Sequence, residues 1–144
     1  MSKTFTLTEA QVLLPAVKAL LERARDAALR GDALENAMQE LTQRIFLSGG
    51  MHVDVPAAAK RRADKDKALA DARESLQEIE SIGVTIGDSE DGLLEFPSHW
   101  QGREILLCWS AGDAEIEHWR EVAEGSELQP IAGLKAEIKR NRPN

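Results

Sequence analysis

The chain has 144 residues, 42% of them hydrophobic and 30% charged, which fits one folded domain and excludes a disordered or fibrous chain. A formal net charge of −7 argues against nucleic acid and anionic membrane surfaces as partners, and three Phe, three Trp and no Tyr leave little for base stacking. No stretch approaches the ~18 apolar residues of a membrane span, the N-terminus holds no apolar core for a signal peptide, and the single Cys108 asks for no oxidising compartment, so the expected setting is the cytoplasm.

The first helix is expected to start at Thr8, as N-cap of a capping box with Gln11, with Glu9 favouring the positive end of the helix dipole. Leu13, Val17, Leu20, Leu21, Ala24 and Ala28 follow as its apolar stripe, Pro15 predicts a kink near the second turn, and Gly31 is a natural stop. Asp32 then caps a second helix with the stripe Leu34, Ala37, Met38, Leu41 and Ile45, ended by Ser48-Gly49-Gly50. A third helix is predicted from just after Asp54 to Gly83, about 42 Å at the rise of an α-helix. Its second half repeats Leu69, Ala72, Leu76 and Ile79 at coiled-coil-like spacing, whereas its first half is rich in alanine and offers little to bury.

Beyond Gly83 the pattern changes to alternation. Val84 to Ile86, Leu93 to Phe96 and Arg103 to Trp109 read as a three-stranded antiparallel meander, with a turn over 87–92 and a loop over 97–102. Asp113 is expected to cap a short helix carrying Ile116 and Trp119, and a last helical turn or two is expected within 133–140. The fold class is therefore α+β: three long antiparallel helices in a hairpin or bundle, a small C-terminal sheet and a short helix. One domain spans 1–144, made of a helical part (1–83), an acidic meander (84–131) and a basic tail (132–144). The charge is segregated accordingly: 84–131 holds two basic and eleven acidic residues, while 132–144 holds four basic and one acidic.

No constellation in the chain marks a catalytic site. The run Lys60-Arg61-Arg62 with Lys65 and Lys67 is offset by Asp64, Asp66 and Asp71 at helical spacing, so it reads as a solvated face. Ser48-Gly49-Gly50 lacks the lysine and hydroxyl residue of a phosphate loop. Oxygen ligands with imidazole suit Mg, Mn or Fe, which makes Glu95, Glu104, Glu115 and His118, with His52 brought over by the fold, the candidates for a divalent metal. Cys108 reads as a buried thiol and Trp109 as a core indole in need of an acceptor. His99-Trp100, placed at a hairpin tip, is the candidate interaction surface, because exposed aromatics are enriched at interfaces.

Gly92-Leu-Leu-Glu-Phe-Pro, Gly102-Arg-Glu-Ile-Leu-Leu-Cys-Trp and Gly112-Asp-Ala-Glu-Ile, with Phe5 to Ala10, Leu14-Pro15, Gly49-Gly50, Val53-Asp54 and Gly83-Val84, resemble a bacterial family, the domain of unknown function numbered 2203. The chain departs from that pattern at Glu95, where the family has Asp, at Arg120, where it has His between Trp and Glu, and near 125–129, where a Gly-Phe-x-Gly-Arg stretch is missing. The resemblance implies a helical assembly carrying a small sheet and implies no activity. The expected function is a non-enzymatic protein-interaction module, a homodimer with a further protein partner unknown, and with no cofactor, nucleic acid or membrane. The alternative is a metal-binding protein or metal-dependent enzyme built on the acidic candidates.

Overall fold

In the computed structural model, residues 3–49, 54–88, 92–123 and 125–134 are described. The fold is α+β, with two long helices, α1 (Leu7–Leu47) and α2 (Val55–Ile82), and five strands. These are β1 (Thr85–Asp88), β2 (Leu93–Trp100), β3 (Arg103–Ser110), β4 (His118–Glu121) and β5 (Gln129–Pro130), paired in that order as one antiparallel meander. Two compact units divide the chain: Met1–Leu21 with Glu78–Asn144, and Glu22–Gln77. Among the described residues no helix is long and apolar enough to cross a membrane.

Two helices stand where three were expected, because α1 runs unbroken through Pro15 and Gly31 for 41 residues, about 60 Å. Gly31 is buried, and a Cβ added to it would lie 2.9 Å from Leu69 Cδ2. The glycine thus serves a close approach of α2 instead of a left-handed stop, and the helix formers on either side carry the backbone through. Asp32, expected as a cap, is an exposed mid-helix residue.

The start of α1 also differs. Its capping box is Thr6 with Glu9: Glu9 N–H donates to the Thr6 hydroxyl and Thr6 N–H to the Glu9 carboxylate, both at 3.1 Å. These donors hold the Glu9 carboxyl below its ordinary range. The end of α1 and both bounds of α2 follow the sequence reading. Gly49 takes φ +82° just beyond Leu47, and the Asp54 carboxylate accepts from Ala57 N–H at 3.0 Å to open the 28-residue α2.

In the second unit the helices lie antiparallel, as the ion pairs Arg30–Asp71 and Lys65–Glu35 and the Gly31–Leu69 approach require. Its buried side chains are Ala24, Ala27, Ala68, Ala72 and Ser75. The inward positions of α2 are therefore 68, 72, 75 and, in the first unit, 79; Leu69, expected in the seam, is partly exposed and lies one position off this row.

The first unit holds the larger core. Leu94 and Phe96 on β2 and Ile105, Leu107 and Trp109 on β3 alternate onto one face, where Ala10, Leu14, Val17 and Leu21 of α1 are also buried. Phe5 meets Phe96 edge to face at 5.8 Å, and the Lys18 ammonium stands 5.2 Å over Trp109. The Trp109 indole donates to Asp113 O at 2.8 Å, the acceptor its burial requires.

Three strand boundaries correct the sequence reading. The expected loop over 97–102 is mostly strand, because Pro97 O accepts from Phe5 N–H at 2.8 Å. In an extended strand a residue's N and O point to the same side, so the N–H that proline lacks would have faced away from β3 and no ladder bond is lost. Only Gln101 and Gly102 form the turn, both with positive φ (51° and 75°), the requirement of a tight I′ hairpin. The expected short helix after Asp113 is absent. Ser110 N–H bonds the Asp113 carboxylate within a turn, and the chain enters β4, extending the sheet from three strands to five. Residues 131–134 are helical; the remainder of the expected C-terminal turn lies outside the described residues.

Candidate functional site

The face of the sheet opposite the core carries one row of paired residues. Thr85 stands against Glu95, Glu95 against Cys108, Cys108 against His118 and His118 against Pro130, so their side chains share a face. Glu95 is only 5% exposed. Arg120, one pleat along β4 from His118, converges on its carboxylate, with Nε 2.8 Å and Nη2 2.7 Å from Oε2. Arg120 Nη1 also donates to Glu121 O at 3.3 Å, which orients the guanidinium. Glu95 and Arg120, two of the three places where the sequence departs from the pattern of the family it resembles, here bond to each other.

The Cys108 thiol lies 3.9 Å from Glu95 Oε2. Burial and the adjacent carboxylate push it up to about 12, so it is fully protonated at neutral pH and is no nucleophile. Chemically the row is a neutralised carboxylate, a protonated thiol and an imidazole on a stiff sheet. Every buried polar side-chain atom among the described residues has a hydrogen-bond partner. Arg120 occupies the face of the carboxylate that a cation would take.

The sequence-derived metal candidates are therefore brought together only in part. Glu95 and half-buried His118 flank Cys108 in the row, while Glu104 sits exposed on β3 opposite His99 and Glu115 lies exposed in the segment before β4. His52 lies outside the described residues. Among the described residues, no group of three or more His, Cys, Asp or Glu is placed to hold a metal ion. Of the interaction candidates, His99 is exposed, but Trp100 is half-buried. Its ring meets Trp119 at 5.6 Å, with the Arg103 guanidinium 5.5 Å over it, and Arg103 in turn pairs with Glu121. Trp100 is thus packed within its own sheet.

A different surface groups several exposed apolar residues, while Val12, Leu29, Val122 and Leu128 are exposed elsewhere. From Asp32 to Lys67 no described residue is buried. Leu34, Met38, Leu41 and Ile45 form a stripe along α1 that stays only half-buried, and over 55–67 of α2 only Ala57, Ala58 and Lys65 are half-buried. At the end of the hairpin Phe46 is 82% exposed, Leu47 76% and Val55 66%. An open groove of about 510 Å³ runs beside them, lined by Glu35, Met38, Gln39, Thr42, Gln43 and Phe46. Glu35, with the Lys65 ammonium and the Gln39 amide against it, is held below the ordinary carboxylate range. The sequence contained a sign of this surface: a Phe-Leu pair closing a helix opposite an alanine-rich stretch has no apolar partner to bury it.

The family described as "Uncharacterized conserved protein (DUF2203)" matches over residues 3–128. No curated protein and no solved structure matches the chain.

Proposed function

The chain belongs to the DUF2203 family of uncharacterized conserved proteins, and because membership assigns no chemistry we propose that it is a non-enzymatic protein-interaction module acting as a homo-oligomer. The hairpin end of the second unit is its docking surface. One observation carries this reading: between Asp32 and Lys67 two helices run side by side with no described residue buried. An amphipathic helix pair is stable when its apolar stripe meets another layer, and within the described residues of this unit no such layer is buried against it. The closed state of the sheet row supports the same reading, since its carboxylate is already paired and its thiol protonated. A cytoplasmic setting accompanies it, as Cys108 is a buried free thiol.

The test is a light-scattering mass measurement from low to high micromolar concentration. The proposal expects a mass above that of the 15.9 kDa chain that rises with concentration, and a shift toward the single chain for Phe46→Ser with unchanged helix content. A strict monomer throughout overturns it.

A further inference from the structure

We infer that the tip of the helical hairpin docks on an anionic lipid surface, Phe46, Leu47 and Val55 entering the bilayer interface and Arg44, Lys60, Arg61 and Arg62 meeting its headgroups. The inference goes beyond the self-association reading and concerns the tip alone, leaving the stripe from Leu34 to Ile45 to a second copy. Because α1 ends at Leu47 and α2 opens at Val55, the three apolar side chains lie at one end of the antiparallel pair, 82%, 76% and 66% exposed. The backbone of this end is already satisfied. Arg44 O and Phe46 O accept from the N–H groups of Ser48 and Gly49, and Ile45 O accepts from the Ser48 hydroxyl. Across the gap, Ala57 and Ala58 donate to Asp54, and Pro56 has no N–H to lose. Little backbone polarity is therefore stripped of water when the tip enters an apolar layer.

The charge around the tip complements anionic headgroups. Between Arg44 and Lys60 the sequence holds one charged residue, Asp54, engaged as the cap of α2. At the rise of a helix, Arg44 stands about 5 Å behind Leu47, and Lys60 to Arg62 stand about 7–10 Å behind Val55. Side chains at that depth meet headgroups when the apolar tip is about 5–10 Å into the interface. All four cations are exposed. Asp64 and Asp66, spaced to offset Lys60 and Arg62, pair with neither: among the described residues this unit forms only the ion pairs Arg30–Asp71 and Lys65–Glu35. The net charge of −7, which argued against an anionic membrane, is concentrated in 84–131, with two basic and eleven acidic residues. Residues 40–62 hold four basic residues against Glu40 and Asp54. Locally, then, the sign is reversed.

Sedimentation of the full chain with lipid vesicles tests the docking. The chain is expected to pellet with vesicles of equal parts phosphatidylserine and phosphatidylcholine, and about tenfold or more weakly with phosphatidylcholine alone, since each basic side chain near an anionic surface contributes about fivefold. Salt at about 0.5 M is expected to release it. Phe46→Ser with Leu47→Ser, and separately Arg61→Glu with Arg62→Glu, are each expected to bind the mixed vesicles about tenfold or more weakly, with the parent's helix content by circular dichroism. The comparison of the two vesicle types uses the parent alone and holds even where a variant loses helix. A parent that stays in the supernatant, or binds both vesicle types equally, overturns the inference, as do folded variants that bind like the parent. A chain that self-associates without lipid yet does not pellet keeps the self-association reading and loses this one; a strict monomer that pellets with the mixed vesicles does the reverse.

Discussion

Arg120 places two donors on one oxygen of Glu95, 2.7 and 2.8 Å away, on a sheet face where that carboxylate is almost wholly withdrawn from solvent. The second carboxylate oxygen lies toward Gly87, where an added Cβ would come within 3.0 Å of it. A residue type that would otherwise bind a cation is thereby held as half of an internal ion pair.

Arg120→Ala therefore leaves a buried carboxylate unpaired and is expected to destabilise the fold by about 2–4 kcal/mol, Arg120 itself being about a quarter exposed. Replacing both partners, Glu95→Leu with Arg120→Met, is expected to regain most of that loss, because no charge is then left behind. Urea denaturation of the three chains measures it; equal losses for the single and double variants would contradict the pairing.

The Cys108 thiol makes a prediction at high pH. Its pKa is raised in the fold, from 9.0 to about 12, so the folded state holds the proton more tightly than the unfolded chain. That contribution to stability is complete below pH 9 and is lost as pH rises from there toward 12. Cys108→Ala should flatten the alkaline fall in denaturation midpoint relative to the parent. Native protein at pH 8 should also resist iodoacetamide until denaturant is added; rapid labelling of the folded chain would show the thiol to be accessible.

Capping by Thr6 and Glu9 is testable at the other end of the pH scale. Thr6→Ala is expected to cost about 1 kcal/mol. Because the Glu9 carboxyl is held below its ordinary 4.5, its contribution is present above that value and fades as pH falls below it. Glu9→Gln should show a shallower acid transition, and an unchanged one would mean that the reciprocal bonds do not persist in solution.

Gly31 separates a helix stop from a helix contact. At a stop with positive φ, alanine would destabilise; in a continuous helix it gains up to about 1 kcal/mol of propensity. The atom it would crowd is the end of Leu69, a partly exposed side chain able to turn aside. Gly31→Ala is expected to raise the melting temperature slightly and Gly31→Val, which is β-branched and larger, to lower it.

Local chemistry made much of the architecture legible. Asp54 capping α2, the glycine past Leu47, the alternation of β2 and β3 and the acceptor demanded by Trp109 each depend on residues a few positions apart. The errors lie where a distant residue decides. Gly31 followed by Asp32 has the composition of a helix break, yet Leu69, far along the chain, turns it into a packing site. His118 to Glu121 is too short and too polar to announce a strand, and becomes one because β3 offers it an edge.

By itself, then, the sequence determined the α+β class, the extent of α2, the acidic sheet segment and the buried thiol, since caps, turns and periodicity act within a few residues. Only the tertiary structure decided that Glu95 is bound by Arg120, that Trp100 packs on Trp119, and that the exposed apolar surface lies at Phe46, Leu47 and Val55. Those outcomes turn on pairing between side chains distant in sequence, where charge and burial are settled by whichever partner the fold brings within a few ångströms.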